Sequence, residues 1–473
     1  MQSRREFLRA LGLSATYFTI NSSLKASDRP SVKPNIILCM ADDQGWGEMG
    51  YYGHPVLKTP TFDEMAAKGL RFDRFYAGAP VCSPTRASVM TGRHPNRSGV
   101  FLYNYAIRPE EITIAQLLKK AGYRTGHFGK WHLGPVKADS PVNPSKCGFD
   151  EYLSHDNFFE LNPPLSRNGA DPEIHKGESS EIIVSEAGKF IRKVRAENKP
   201  FFVVIWFGSP HGPYRAMESD AALYTDVKDE QRCNRYAEIT AMDRAMGQLK
   251  RALQHLRVAD DTLLWYCSDN GIPNKSGPTA NLRGAKGNLY EGGIRVPAII
   301  EWPTVIKKSR ISTMPCVTSD IMPTLLDLLG LELPDRPIDG ISLRPLIEGK
   351  MTTRPKPIGF WKYPHKTQEE NRPWMDPDRL KGTTPTAKRD SIQFLNFHHP
   401  KPLTENFPGQ AAWMDNRYKL VTNGKKTELF DIVADPLEKK DLAKEKSEIV
   451  TEMKTQLESW QASVEKSLAG QDY

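Results

Sequence analysis

Cys82, Ser83, Pro84, Thr85 and Arg86 stand in a row, with Thr91, Gly92 and Arg93 just beyond. Ser83 suits a helix N-cap, Pro84 the first helical position and Gly92 a helix stop, so Cys82 is expected just ahead of a short helix. Free backbone N–H groups and the positive end of the helix dipole favour a negative ligand there, and Arg86 adds a guanidinium one turn in. A modifiable thiol at the entrance of an anion-binding helix is the outline of nucleophile chemistry. The pentad takes its weight from what accompanies it.

Two short acidic turns do so. Asp42 and Asp43 lie in Ala-Asp-Asp-Gln-Gly, and Asp269 and Asn270 in Ser-Asp-Asn-Gly. Either turn alone is ordinary loop chemistry. Together they offer carboxylate and amide oxygens without a soft ligand, a donor set for a hard divalent cation, calcium before magnesium. Arg86, Lys130 and Lys286 are the candidate fixed positive charges that would hold and polarise a tetrahedral oxyanion ester. Lys130 sits in Gly129-Lys130-Trp131-His132-Leu133-Gly134, whose glycines and tryptophan imply a packed loop. Lys286, in Arg283-Gly284-Ala285-Lys286-Gly287, reads equally well as part of a flexible basic loop. His132 and His211 are the acid/base candidates, the second held in the stiff turn Ser209-Pro210-His211-Gly212-Pro213.

Something must carry these groups to one place. Apolar runs of strand length occur at 35–40, 124–128, 201–207, 262–267 and 296–300, mostly without polar alternation. Such runs fit strands buried on both faces of a parallel or mixed sheet. Helical patterns lie between them at 61–68, with a Thr61/Glu64 capping box and Gly69 as stop, and at 114–121, 180–196, 237–256 and 319–329. The implied class is α/β, a large and mostly parallel sheet flanked by helices. Asp42/Asp43, Lys130/His132, His211 and Asp269/Asn270 each follow a different strand-like run. In open α/β sheets the ligand crevice lies beyond the carboxyl ends of the strands, so four such loops can converge.

Beyond residue 346 the texture changes. A stretch rich in Pro, Lys and aromatics fills 354–409; then 412–421 and 427–433 read as strands joined by a turn at Asn423-Gly424, and 447–468 as a closing amphipathic helix. The expected plan is an α/β domain over 33–346 and a smaller α+β subdomain with a loop-rich insertion over 347–473. Trp361, Tyr363, Trp374, Phe397 and Trp413 offer either a sugar-stacking wall or subdomain packing.

The chain has 473 residues and a formal charge of +8. Arg4, Arg5, Arg9 and Lys25 against Glu6 put +3 of this into the first 26 residues, leaving +5 for the rest. Such mild basicity, without a nucleic-acid motif, argues against a nucleic-acid partner. Residues 1–26, with Arg4-Arg5 ahead of Phe7-Leu8 and a modest apolar run, read as a twin-arginine export signal, too short to span a bilayer. A soluble exported protein, periplasmic or secreted, is expected. Six scattered cysteines without C-x-x-C spacing exclude a disulfide scaffold.

In order along the chain, Ala41-Asp42-Asp43-Gln44-Gly45, the Cys82 pentad with Thr91-Gly92-Arg93, Gly129-Lys130-Trp131-His132, Ser209-Pro210-His211, Ser268-Asp269-Asn270-Gly271 and Lys286 followed by Glu291-Gly292-Gly293 together resemble the formylglycine-dependent sulfatases of the alkaline phosphatase superfamily. The likeness spans roughly 33–346, and Leu429-Phe430-Asp431 through Asp441-Leu442 looks like that family's C-terminal part. The resemblance implies an alkaline phosphatase-like fold and oxidation of Cys82 by a maturation enzyme to formylglycine, whose hydrate is a calcium-bound diol. A thiol attacking sulfur would form a stable thiosulfate, whereas a diol oxygen forms a sulfated hemiacetal that collapses and expels sulfate. Asp42, Asp43, Cys82, Asp269 and Asn270 are then metal ligands, Arg86 and Lys130 steady the diol and the anion, and Lys286 binds sulfate. His132 orients the diol, His211 protonates the leaving alkoxide, and Ser154 is a further, loosely aligned polar site residue. A sulfated carbohydrate is the implied substrate and the twin-arginine translocase the implied exporter. Two alternatives stand: a formylglycine-dependent phosphate or phosphonate monoester hydrolase, and a non-catalytic binder of sulfated glycans.

Overall fold

Alternate residues of strand β1 (Asn35–Ala41) enter two different cores: Ile36, Leu38 and Met40 one, Ile37, Cys39 and Ala41 the other. Strand β7 (Phe201–Trp206) divides in the same way, with Phe202, Val204 and Trp206 against Phe201, Val203 and Ile205. Both faces are covered, which is why these runs show no polar alternation. Each large apolar side chain so buried contributes about 1.5–3 kcal/mol.

The structure, a computed structural model, describes residues 33–274, 277, 280–364, 374–396 and 407–473. The expected export signal, 1–26, and Phe397 lie outside these residues. In chain order the main elements are β1, α1 (Pro60–Lys68), β2 (Leu70–Tyr76), α2 (Cys82–Thr91), α3 (Ile114–Lys120), β3 (Arg124–Lys130), β4 (Glu151–His155), β5 (Pro164–Arg167), β6 (Glu173–Ile174), α4 (Ser179–Ala196) and β7. Then come α5 (Glu230–His255), β8 (Thr262–Ser268), β9 (Arg295–Glu301), β10 (Arg310–Ser312), β11 (Cys316–Val317) and α6 (Ile321–Leu328). Strands β12 (Ile358–Trp361), β13 (Ala411–Met414), β14 (Tyr418–Thr422) and β15 (Thr427–Asp431) and helix α7 (Ser447–Leu468) complete the chain.

The large sheet has eleven strands in the order β10-β2-β9-β8-β1-β7-β3-β4-β5-β6, with β11 also on β2. Strands β8, β1, β7, β3 and β4 run parallel, β9 is antiparallel to both β8 and β2, and β4, β5 and β6 pair antiparallel. The expected α/β class, mixed but mostly parallel, is what the chain forms. The second sheet, β12-β13-β14-β15, is antiparallel throughout. Asn35–Tyr473 forms one compact unit. All six cysteines are free thiols. No helix among the described residues is long and apolar enough to cross a membrane.

Local chemistry moves several expected boundaries. Helix α1 starts at Pro60 after Thr59; Thr61 forms no capping box, because its N–H donates to Asp243 Oδ2 (3.0 Å) across to α5. Helix α5 begins seven residues before the expected 237, where the Asp229 side chain accepts from the Arg232 N–H at 3.0 Å. The 412–421 run is two strands, not one: Asp415 Oδ1 accepts the N–H groups of Arg417 (2.7 Å) and Tyr418 (2.6 Å) and folds the chain back between β13 and β14.

Candidate active site

Strands β8, β1, β7 and β3 are neighbours, and their carboxyl ends carry the four polar turns. Ala41 pairs with Ser268, which sets Asp42 beside Asp269. The Asp269 N–H donates to the Ala41 carbonyl (3.2 Å) and the Asp42 N–H to the Ser209 carbonyl (3.0 Å), tying the His211 turn to β1. Gly129 pairs with Trp206, so Lys130 emerges next to the same edge. Gly129 has φ +107°, and a Cβ there would lie 1.9 Å from the Trp206 carbonyl oxygen; nothing larger fits this crossing.

The charged groups pair in a compact cluster. Lys130 Nζ lies 2.6 Å from Asp42 Oδ2, and Arg86 Nη2 lies 2.6 Å from Asp269 Oδ2. Lys286 Nζ lies 2.5 Å from Asp43 Oδ1, which also accepts from Asn270 Nδ2 at 2.7 Å. Arg86 further donates to the Lys130 carbonyl (3.2 Å) and lies over the Trp206 ring, 5.0 Å from its centroid. Three carboxylates meet three cations, so a dication entering alone would leave buried charge uncompensated, and an anionic ester beside it offsets that. Lys286, read from sequence as anchored or flexible, is anchored.

Two oxygens in this cluster, Asp42 Oδ1 and Asn270 Oδ1, are buried without a hydrogen-bond partner. Ligand atoms of Asp42, Asp43 and Cys82 lie within 4.8 Å of one another. Unsatisfied buried oxygens are costly unless something binds them, and an oxygen-rich set fits a hard divalent cation. The Cys82 sulfur is the soft donor in the group.

Cys82 is the first residue of α2, not the residue ahead of it. Val81 occupies the N-cap without a side-chain bond, and Pro84 falls at the third helical position. Ser83 is not the cap because its hydroxyl accepts from the Asn104 N–H (3.2 Å), while Thr85 turns to Ala79, donating to its carbonyl (2.8 Å). Gly92 ends the helix at φ +68°, as expected. All ten residues of α2 are buried.

Cys82, His132, His211 and Lys286 line a cavity of about 240 Å³, with Asn104, Asn157, Tyr103 and Phe158 at its sides. Burial raises the Cys82 thiol, against the opposing fields of Lys130 and Lys286. Burial also raises Asp43, but Lys286 and then His211 outweigh it and hold this carboxyl below the usual range. Asp269 is pushed up to about 6 by burial and the Asp42 charge, against Arg86 and Lys130. Burial lowers both histidines, His132 well below its ordinary value and His211 to about 3, with Lys130 and Lys286 adding to the depression of each. His132 Nε2 meets Asn104 Oδ1 at 2.9 Å, and its Nδ1 has no partner. His211 Nδ1 meets the Gly212 carbonyl at 2.8 Å, so Nε2, 3.7 Å from Asp43 Oδ2, is the nitrogen turned to the site. Phe158 stacks on the His211 ring at 4.3 Å.

Ser154 is not brought to the cavity. It sits on β4 opposite Gly129, and its hydroxyl meets His127 Nδ1 at 2.7 Å instead. Nor do Trp361, Tyr363 and Trp413 form a stacking wall; all three are buried in the core, Trp361 against Tyr363 and Trp413 against Trp460. Sequence reading passed over Asn104, which bridges the N-terminal turn of α2 to His132. It also passed over Arg235, at the centre of a buried fan: Glu48 Oε1 (2.7 Å) and Oε2 (2.6 Å), the Asp43 carbonyl (2.6 Å), the Pro210 carbonyl (2.7 Å) and Tyr214 (3.1 Å). An arginine on the buried stripe of α5 was the available signal. Thr386, Lys388, Arg389 and Ile392, from the loop-rich stretch beyond residue 354, also line the cavity.

The family model described as Sulfatase matches residues 34–331. The chain is 36% identical over 362 residues to N-acetylgalactosamine-6-sulfatase of Homo sapiens, covering 68% of this chain and 67% of that one. It is 32% identical over 371 residues to arylsulfatase A of Bos taurus, covering 70% and 71%. Among solved structures, that of Ps i-CgsB in complex with k-i-k-neocarrahexaose is similar with a TM-score of 0.77 at 26% identity, over 92% of this chain and 94% of that one. The mixed sheet, the polar turns at four adjacent strand ends and these likenesses agree: the chain belongs to the sulfatase family of the alkaline phosphatase superfamily and is a sulfuric ester hydrolase.

Proposed function

We propose that the chain hydrolyses sulfate esters on carbohydrate, using Cys82 matured to formylglycine and one calcium ion, in preference to magnesium, held by Asp42, Asp43, Asp269 and Asn270 with residue 82. The observation that carries this reading is the cavity with Cys82, Lys286, His132 and His211 on its wall, next to a buried cluster whose Asp42 and Asn270 oxygens lack partners. When present, the hydrated aldehyde supplies a hydroxyl nucleophile and the cation polarises both it and a sulfate oxygen.

The chain's own side chains do the rest. Lys286, the cavity-lining cation paired with Asp43, binds the sulfate oxygens. Arg86 and Lys130, wholly buried, hold Asp269 and Asp42 in place and add fixed positive field. His132, braced by Asn104, offers Nδ1 to a hydroxyl at position 82. His211, braced by Gly212, places Nε2 to give a proton to the leaving sugar oxygen. Burial, with Lys286 and Lys130, depresses this imidazole, and the negative charge of an entering sulfate opposes the lysines' part and favours its protonated, donating form.

Relatives named for N-acetylgalactosamine-6-sulfate and a structural neighbour holding a neocarrahexaose support carbohydrate as the carrier. Export follows the twin-arginine reading, which places the protein in the periplasm or outside the cell. Cys82 is 2% exposed, so a maturation enzyme reaches it before the fold closes, and the twin-arginine translocase then takes the finished chain.

Matched aryl sulfate and phosphate esters test the reaction: sulfate is expected to be the better substrate, and a large phosphate preference would move the chain to the phosphate or phosphonate hydrolases. Mass spectrometry of the Cys82 peptide, from protein made with the maturation enzyme, separates the enzyme from a glycan binder. Full retention of sulfur in that peptide counts for the binder.

A further inference from the structure

The loop-rich insertion reaches the active-site cavity as a fixed hairpin. Gly382 N–H donates to the Ile392 carbonyl (2.8 Å), and Thr386 and Arg389 exchange backbone bonds at 2.9 and 3.2 Å. The end of β4 anchors it. Asp156 Oδ2 accepts the Thr383 N–H (2.7 Å), the Thr384 N–H (2.8 Å) and the Thr384 hydroxyl (2.8 Å), and His155 Nε2 meets the Pro385 carbonyl at 3.0 Å. Asp156 and His155 are buried and lie next to the strand that carries Lys130, so the hairpin is held by the same framework as the catalytic cluster. Its tip brings Lys388 and Arg389 to the cavity lining.

These two cations differ from those below them. Lys130, Lys286 and Arg86 are each paired with a carboxylate. Lys388 and Arg389 are exposed, and among the described residues neither meets a carboxylate at ion-pair distance. Glu160, the acid whose ionisation Lys388 influences, is already engaged by Arg215 at 3.0 Å. Among the described residues, no acidic side chain lines the cavity. At about 240 Å³ the cavity falls below the roughly 300–1,000 Å³ of pockets that enclose a whole drug-sized ligand. A volume of that size suits one sugar-sized group, and Lys388, Arg389 and the half-exposed Tyr103 ring are exposed members of its lining.

We propose that Lys388 and Arg389 form a second anion subsite, which reads a sulfate or carboxylate on the sugar next to the one losing its sulfate. This rests on the sulfate-ester reading above and narrows its substrate to polyanionic saccharides. An attraction between partly exposed charges supplies on-rate and affinity, and salt screens it.

The test compares the matured full-length protein with the Lys388→Ala/Arg389→Ala double variant on three substrates: a small aryl sulfate, a sulfated disaccharide whose second sugar is neutral, and disaccharides whose second sugar carries a sulfate or a uronate. On the first two, kcat/KM is expected to stay within about twofold. On the last class it falls about tenfold, through KM, and the salt dependence of wild-type turnover flattens. The sulfate and uronate arms show which anion is preferred. An equal loss on all substrates, or no loss on the doubly charged ones, overturns the subsite. If the wild-type protein cleaves no sulfate ester, the underlying reading fails instead. Binding of the same doubly charged disaccharide to wild type and variant then decides the subsite, and equal affinities reject it.

Discussion

His211 and Lys286 show how much a single side chain is asked to do. If His211 gives a proton to the leaving oxygen, its removal matters most where that oxygen is a poor leaving group. His211→Asn is expected to lower kcat on a sugar sulfate by about 10²–10⁴-fold, and much less on a nitrophenyl sulfate. Equal losses on the two would take the proton-donor role from His211. The unpartnered Asp42 and Asn270 oxygens lead to a second outcome. Chelation is expected to abolish sulfate release, and calcium to restore it better than magnesium; full activity after exhaustive chelation would rule out the cation. At this scale Asp42, Asp43, Lys130, His211, Asp269 and Asn270 were legible because each follows an apolar run, and the strand ends fix where such residues go. Asn104 was not, for it sits in a loop at φ +63° with no strand pattern before it. Ser154 was misplaced because alternate residues of a strand face opposite ways, and a loosely aligned short strand does not reveal which.

At the scale of elements, α5 braces two site loops through one side chain. Arg235 holds the carbonyls of Asp43 and Pro210 while neutralising Glu48, which itself accepts the Gly45 N–H at 2.8 Å. Arg235→Leu strands a buried carboxylate and is expected to cost about 3–5 kcal/mol in a denaturation experiment. Adding Glu48→Gln relieves the buried charge yet leaves the two carbonyls without their donor, so stability is expected to recover in part while kcat does not. Recovery of both would make Arg235 purely structural. Gly129→Ala drives a methyl into the Trp206 carbonyl at the β3–β7 crossing and is expected to cost at least 1–3 kcal/mol, read as a lower Tm. The apolar runs and the closing helix were legible as elements because burial on both faces and helical periodicity leave plain patterns. Strand β2, whose Arg71 and Asp73 alternate with buried Leu70 and Phe72, was overlooked, and the Ser83 cap failed because tertiary partners claimed the hydroxyl.

Over the whole molecule, the antiparallel sheet is tied to the large one by buried charge. Lys419 of β14 lies 2.9 Å from both Glu291 Oε1 and Glu438 Oε1, and Glu291 in turn accepts from the Tyr76 hydroxyl of β2 at 3.0 Å. Lys419→Met leaves two buried carboxylates facing each other, and a loss of about 3–5 kcal/mol is expected, with both sheets melting in one transition. Two separate transitions would show the sheets to be energetically independent. The sequence reading did not foresee this bond, since an isolated lysine in a strand carries no mark of its partner. All of these layers serve residue 82. The most direct measurement is sulfate release from a sulfated saccharide by the matured protein and by its Cys82→Ala variant, once both show the same Tm. A loss on the order of a thousandfold or more is expected; a variant that releases sulfate at the wild-type rate would contradict the account.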